Sequence, residues 1–183
     1  HELRTPLTVL VGFLETLREI ELDPDRSRRY MGLMADQAGR MQRIIDDLLT
    51  LSALEAAPEP PIDQRIPMAA MLDRVCADAQ VLSGGRHRIS LVSHGEVDLL
   101  GAEEEIAASL SNLVTNAIRY TPAGGEIRMS WHASADGAAF SVEDTGIGIE
   151  EEHLPRLTER FYRVDRGRSR ETGGTGLGLA IVK

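Results

Sequence analysis

Three groups of residues in this chain have the types and spacing for phosphate chemistry. The first is Gly173-Gly174-Thr175-Gly176-Leu177-Gly178-Leu179. Glycines at Gly174, Gly176 and Gly178 remove the Cβ atoms that would keep an anion away from backbone N–H groups, and a helix opening there adds its positive dipole end. The earlier Asp144-Thr145-Gly146-Ile147-Gly148, at the end of an apolar strand, reads with it as a pair of loops that hold a nucleotide. A flexible loop would carry the same glycines, and a plain turn the same Asp-Thr-Gly-x-Gly, so the surrounding residues have to decide. No Gly-Lys-Ser/Thr follows the glycines, and no βαβ unit with a ribose-binding acid follows them, which excludes a P-loop and a Rossmann site.

The second group lies on a helix. At about 100° per residue, Asn112, Asn116 and Arg119 share one face, while Ile106, Leu110, Leu113 and Ala117 lie on another. One face is a core face and the other a site. Asparagine carbonyls are hard-oxygen donors suited to Mg²⁺, which keeps most of its waters and bridges nucleotide phosphates.

The third group is His1-Glu2-Leu3-Arg4-Thr5-Pro6-Leu7-Thr8. Counting from His1, Thr5, Thr8 and Gly12 fall within roughly 40° of it, opposite a seam of leucines. A solvent-facing imidazole keeps a pKa near about 6.5, so its neutral form has a ring nitrogen free to attack phosphorus. Glu2 could accept the other ring proton, and Thr5, one turn on, could hold a water in line with a phosphohistidine. The plainer readings are a surface histidine, a solvated acid and a polar surface position.

Taken in order, Asn112-Leu-Val-Thr-Asn116, Asp144-Thr-Gly-Ile-Gly148, Arg160-Phe-Tyr-Arg-Val-Asp165 and Gly174-Thr-Gly-Leu-Gly-Leu179 resemble the N, G1, F and G2 boxes of sensor histidine kinases. His1 through Thr8 resembles the phosphoacceptor H box. The resemblance covers nearly the whole chain and implies ATP and Mg²⁺ as substrate and cofactor. It implies His1, Glu2 and Thr5 as catalytic residues and puts the metal on Asn116, with Asn112 as auxiliary ligand. It makes Arg119 a phosphate contact, although lysine is frequent there in the family, and Tyr120 a ring to lie against adenine. Asp144 is implied to accept a hydrogen bond from the adenine amino group, with Gly146 and Gly148 allowing close approach. Arg163 to Glu171, with Arg166, Arg168 and Arg170, reads as a lid over the triphosphate, running into Gly174, Thr175, Gly176, Leu177 and Gly178. A disordered charged loop is compatible with that, since a lid must move. Phe161 and Tyr162 are expected to anchor the start of the lid by packing.

Positioning these groups takes two kinds of element. Leu3, Leu7, Leu10, Leu14 and Leu17 recur at steps of four and three from His1 to about Leu22, the seam of a bundled helix. Asp23-Pro24-Asp25 breaks it. A second helix, roughly Arg26 to Ala56, carries Met34, Ala38, Met41, Ile45 and Leu48, so an antiparallel hairpin is the simplest connection. Two amphipathic helices make a poor core, which predicts a homodimer whose hairpins form a four-helix bundle. Ala57-Pro58-Glu59-Pro60-Pro61 is a stiff linker. Beyond it come a strand near Ile62–Ile66, a helix near Met68–Leu82 ended by Ser83-Gly84-Gly85, strands at His87–Ser93 and Val97–Leu100, a helix over Ala102–Tyr120, and strands at Glu126–His132 and Ala138–Glu143 joined by Asp136-Gly137. Helices are expected on one face of a mostly antiparallel sheet. The fold class is therefore α+β. Residues 1–56 form a dimerisation and histidine-phosphotransfer hairpin, 57–61 a linker, and 62–183 an α/β-sandwich ATP-binding domain of the histidine kinase, gyrase and Hsp90 type, incomplete at its C-terminal end.

The 183 residues carry a net charge of −9, which argues against non-specific binding to nucleic acid or anionic lipid. The single cysteine, Cys76, forbids an internal disulfide and reads as a small buried residue. No apolar run reaches the ~18 residues of a membrane span, and a first residue that is not methionine reads as a fragment. The family resemblance places such a piece on the cytoplasmic face of the bacterial inner membrane, anchored through upstream segments absent from this chain. It also implies a partner, the receiver domain of a response regulator.

The same ATP-binding fold serves gyrase-like and Hsp90-like ATPases, so fold alone cannot choose among functions. Those ATPases place a water-activating glutamate four residues before the metal-binding asparagine, where this chain has Asn112. That favours transfer to His1 over transfer to water. A dimeric scaffold with a degenerate ATP site is the remaining alternative, and the intact motifs argue against it.

Overall fold

The computed structural model describes residues 3–20, 22–56, 64–95, 97–134, 137–164 and 174–183. His1, Glu2, the linker at 57–61, Asp136 and the lid arginines Arg166, Arg168 and Arg170 lie outside them.

Helix α1 spans Arg4–Glu19 and α2 spans Pro24–Ala56. Asp23 does more than break the first helix. Its Oδ1 accepts the N–H groups of Asp25 and Arg26 at 3.1 and 2.9 Å, so it caps α2, and Pro24 occupies the first helical position, where its missing N–H costs nothing. That is why α2 starts two residues earlier than the expected Arg26. The two helices meet through Phe13 and Tyr30, whose ring centroids lie 5.3 Å apart.

The buried stripe of α2 departs from the expected seam. Met34, Met41 and Leu48 are half-buried, but Ala38 and Ile45 are exposed, and the deeply buried residues are Ile44 and Leu51. The stripe that α2 buries has three- and four-residue steps and runs through Met34, Gln37, Met41, Ile44, Leu48 and Leu51. On α1 the leucines split in the same way. Leu3, Leu10 and Leu17 are half-buried while Leu7 and Leu14 are 51% and 53% exposed.

After the hairpin the chain builds a sandwich. β1 (Arg65–Ile66) pairs antiparallel with β3 (Leu99–Leu100), and Asp98 ties this ladder to the next helix. One carboxylate oxygen takes the Arg65 Nε–H at 2.6 Å and the other the Met68 N–H at 3.3 Å. Helix α3 (Met68–Ser83) ends at Gly84, whose φ of 57° is the left-handed cap position that glycine fills without penalty. β2 (Arg88–His94), β4 (Glu126–Ser134) and β5 (Gly137–Asp144) form a three-stranded sheet in the order β2-β4-β5, and α4 (Glu103–Tyr120) crosses between β3 and β4.

The sheet is mixed. β4 and β5 form an antiparallel pair with Trp131 opposite Phe140, but β2 and β4 are parallel, Ile89 beside Ile127. Parallel pairing follows from the helical crossover between those strands, which returns the chain in its original direction. The expected antiparallel bias therefore holds for β1–β3 and β4–β5 and fails for β2–β4. Alternation places Ile127, Met129 and Trp131 inward with Ile89, Leu91, Phe140 and Val142, against Leu72 and Val75 of α3 and Leu110, Val114 and Ile118 of α4. Arg88, Glu126, Arg128 and Glu143 lie exposed on the opposite face. Leu113, expected in the α4 core stripe, is half-buried, and Val114 and Ile118 take the deeper places. Cys76 is half-buried beside this core, and burial followed by Asp73 pushes its thiol up, which makes it less reactive.

Beyond β5 come a short 3₁₀ segment, Glu151–Arg156, and a final helix, α5 (Gly178–Val182). α5 does not join the main core. Its Ile181 packs with Leu177 against Leu51 of α2, with Leu48, Leu54 and Ala108 at the margin.

Candidate functional site

Helix α4 supplies the floor of the site. Its first turn carries Glu103, Glu104 and Glu105, which suit a helix N-terminus, and Arg119 sits in the last turn, where a cation is favoured. Asn112 and Asn116 are one turn apart and both half-buried, and Asn112 meets the glycine loop. A Cβ on Gly178 would sit 2.7 Å from Asn112 Oδ1, closer than side-chain atoms tolerate. The asparagine carbonyl and the start of α5 are therefore in contact because residue 178 has no side chain.

The same fit recurs along the loop. Gly174 is buried, and a Cβ there would lie 3.2 Å from Arg119 Nη1 and 3.5 Å from the Tyr120 hydroxyl. Gly176 adopts φ +75°, and its added Cβ would be 2.9 Å from the Phe161 Cα and 3.2 Å from the Arg163 Cγ. The Phe161 N–H donates to the Gly176 carbonyl at 2.8 Å, so the F-box backbone is laced to the glycine loop. Thr175 turns its hydroxyl toward α2, donating to Asp47 Oδ2 at 2.6 Å while accepting the Leu177 N–H at 3.3 Å. Leu177 is fully buried and acts as an apolar anchor for the loop.

The other loop closes on the C-terminal end of α4. Asp144 Oδ1 accepts the Gly146 N–H at 2.8 Å and the Thr121 hydroxyl at 3.3 Å, and the Ile147 N–H reaches the Tyr120 carbonyl at 3.3 Å. A Cβ on Gly146 would lie 2.6 Å from that carbonyl, so glycine is required for the turn to sit there. Gly148, at φ +69°, has open space around it. The Asp144 carboxylate is exposed, and with about four acceptor sites it keeps capacity for an amino donor from outside. Behind it, His87 bridges the Ser83 hydroxyl at 3.1 Å and the Thr121 carbonyl at 2.9 Å, joining the ends of α3 and α4.

Arg119 is a cation held against the glycine loop. Burial pushes its guanidinium down from its ordinary value; Tyr120 opposes this, Arg43 adds to it and Asp47 opposes it. A half-buried cation against a glycine loop is suited to receive phosphate oxygens. The residues thus fit the groups that the motifs imply. Glycine cradles that a Cβ would fill offer backbone approach, Arg119 offers charge, and Asn112 and Asn116 offer an all-oxygen donor set of the kind Mg²⁺ takes.

The structure brings together Asn112, Arg119, Tyr120, Gly174, Thr175, Gly176, Leu177, Gly178 and Arg163 through one set of contacts, and Asp144, Gly146 and Tyr120 through another. Tyr120, expected beside adenine, turns its hydroxyl to the glycine loop. Phe161 is 37% exposed at φ 61°, so it does not anchor the lid by burial, whereas Tyr162 does hold its place, accepting or donating at 2.8 Å with His153 Nδ1 under the Arg156 guanidinium. Thr5 is exposed on α1, on the same side as exposed Thr8 and Gly12. Sequence reasoning missed Thr121, Asp47 and Glu55. Thr121 had a local signal, a polar residue closing the site helix just before Pro122. The two acids on α2 had none.

Comparison with known proteins bears on this geometry. Residues 1–57 match the family described as the His Kinase A (phospho-acceptor) domain, and residues 101–183 match that of histidine kinase-, DNA gyrase B- and HSP90-like ATPases. The chain is 55% identical to the phosphate regulon sensor protein PhoR of Pseudomonas aeruginosa across its whole length, which is 42% of that protein. Among solved structures, the Acinetobacter baumannii histidine kinase AdeS has 26% identity and a TM-score of 0.75, covering all of this chain and 83% of that one. Full-length ShkA in complex with AMPPNP has 26% identity and a TM-score of 0.65 over all of this chain and 38% of that one. The chain spans about two fifths of the length of the curated relatives it matches. Among the described residues no helix is long and apolar enough to cross a membrane.

Proposed function

Because the chain belongs to the sensor histidine kinase family, we propose that it is the kinase core of a two-component sensor that transfers the γ-phosphoryl group of ATP to His1. The observation that carries this reading is the glycine loop seated on α4, with Gly174 against Arg119 and Gly178 against Asn112. Residues 1–56 are the phosphoacceptor hairpin, 57–61 the linker and 62–183 the ATP-binding domain.

In the proposed reaction the adenine amino group donates to Asp144, and Gly146 and Gly148 let the base approach. The backbone of Gly174, Thr175, Gly176, Leu177 and Gly178 lines the phosphates, with Arg119 and Arg163 neutralising their charge and Tyr120 at the edge of the loop. Asn116, with Asn112 beside it, would hold Mg²⁺, which when bound neutralises charge on the phosphate oxygens. A neutral ring nitrogen of His1 attacks the γ-phosphorus as the bond to the bridging oxygen breaks, and ADP leaves with that oxygen. Glu2 takes the proton from the other ring nitrogen. The N–P bond then breaks as a receiver-domain aspartate oxygen attacks phosphorus. Thr5 orients a water for the reverse duty, dephosphorylating the regulator.

The finer reading is phosphate-limitation signalling, with a phosphate-regulon response regulator as partner. It is supported by the identity to PhoR and by His1–Glu15, Leu48–Pro58 and Leu157–Asp165, which look like that sensor. The working unit is a homodimer, for which the exposed Leu7, Leu14, Ile45 and Leu49 supply an apolar face. Upstream segments would anchor it to the inner membrane with this core in the cytoplasm.

The test is incubation with γ-labelled ATP. An acid-labile, base-stable label is expected on the chain, moving to a receiver domain, and lost in His1→Gln with ATP affinity retained. Persistent labelling of that variant defeats the assignment.

A further inference from the structure

Resting on the nucleotide-site reading above, we propose that Asp47 of α2 is a built-in competitor for the nucleotide's phosphates. Its carboxylate holds the Thr175 hydroxyl of the glycine loop, and a nucleoside di- or triphosphate has to displace it.

The loop's hydroxyl donor is already committed. Thr175 Oγ1 donates to Asp47 Oδ2 at 2.6 Å, a short charge-assisted bond, across 128 residues of sequence. Arg119, the half-buried cation of the same site, senses Asp47 as a stabilising negative charge and Arg43, one turn before Asp47 on α2, as a repelling positive one. A hydroxyl bonded to a carboxylate, and a guanidinium near enough to feel its charge, are the kinds of donor that a phosphate would recruit.

The contact is part of a stripe. Asp47, Leu51 and Glu55 recur every four residues and so lie along one side of α2. Asp47 meets the loop at Thr175, Leu51 packs on Leu177 and Ile181, and Glu55 pairs with Arg160 of the F box. One face of the hairpin helix thus holds the loop, its apolar anchor and the adjoining segment together. Phosphates that displace Asp47 remove the polar end of this clasp, so nucleotide loading and release of the catalytic unit from α2 become one equilibrium.

The competition is specific to phosphate, and that separates it from a merely structural contact. Binding of adenosine, ADP and Mg²⁺-ATP to the chain is measured by calorimetric titration for wild type, Asp47→Asn and Asp46→Asn. Asp46 is an exposed carboxylate one position round the helix that accepts from Gln42 at 2.9 Å, so its variant controls for net charge. Asp47→Asn is expected to tighten ADP and ATP about five- to tenfold, as removal of a competing closed state does, and to leave adenosine unchanged. Unchanged adenosine affinity also reports an intact site. Asp46→Asn is expected to change none of the three. Equal tightening of adenosine, or no tightening of ADP and ATP, overturns the inference. A wild-type chain that binds none of the three overturns the nucleotide-site reading as well.

Discussion

The helical hairpin and the sandwich bury their apolar residues to very different degrees. Helix α3, with 16 residues, buries Met68, Met71, Leu72, Val75, Ala79 and Ser83. Helix α2, with 33 residues, buries only Ile44 and Leu51, and α1 only Pro6. The sandwich closes its own core, whereas the hairpin leaves Leu7, Leu14, Ile45 and Leu49 exposed. A region of the first kind gets its stability from within the chain. A region of the second kind is completed by something that docks on it: α5 packs on Leu51 of α2, and in the proposed homodimer a second hairpin would cover the exposed Leu7 and Leu14.

The comparison is most easily broken at Trp131, which is 3% exposed in the sheet's inward row. Trp131→Ala is expected to cost about 3–5 kcal/mol, read as a fall in the urea midpoint of the sandwich transition. A loss below about 1 kcal/mol would mean that the sandwich is no better packed than the hairpin. Leu14→Glu tests the other region. Leu14 is 53% exposed in the single chain, so monomer helicity should survive, while the dimer dissociation constant should weaken about a hundredfold, or about 3 kcal/mol, by sedimentation velocity. A dimer that persists would place the partner helix on another face.

Gly176→Ala probes the loop between the two regions. The left-handed backbone at φ +75° and the 2.9 Å approach to Phe161 make an alanine there unfavourable by about 1–2 kcal/mol. The effect is expected as roughly tenfold weaker ATP binding with the sandwich melting point nearly unmoved; the reverse pattern would make the loop part of the core. The smallest change in stability is Thr5→Ala, within about 0.5 kcal/mol, because Thr5 is exposed and alanine is the better helix former. Its effect should be functional, leaving autophosphorylation intact and removing phosphatase activity toward the phosphorylated regulator. If both rates fall together, Thr5 is structural.

What the sequence made legible follows the same division. α4, expected over Ala102–Tyr120, spans Glu103–Tyr120, and the β4 and β5 strands fall within two residues of their alternating runs, because burial on one face imprints a period on local residues. Gly84 capped α3 as its position after an apolar run implied. Alternation says which face a residue takes but not which strand lies beside it or in which direction, so the parallel β2–β4 ladder was not legible. Ile44 and Ile45 are adjacent and equally apolar. Only what packs on α2 decides that Ile44 is 1% exposed and Ile45 38%, and no local pattern carries that choice. In the site, glycines, asparagines and Asp144 are marked by type and spacing. Asp47 is marked by neither, since its meaning comes from Thr175, far away in sequence.

The parallel β2–β4 ladder also carries a consequence for how the molecule is assembled in time. β4 and β5 are a hairpin of neighbouring residues and close within microseconds, on the order of 1–10 μs. Pairing Arg88 with Glu126 closes a loop spanning 38 residues that contains all of α4, and the entropy of that closure is met before the ladder returns anything. The floor of the site is therefore enclosed in a late step, while its Asp144 edge belongs to an early one. Pulse-labelled amide exchange during refolding should protect Trp131 and Phe140 ahead of Ile89 and Leu91, so a chain caught between the two steps would carry the Asp144 edge of the site without the α4 floor.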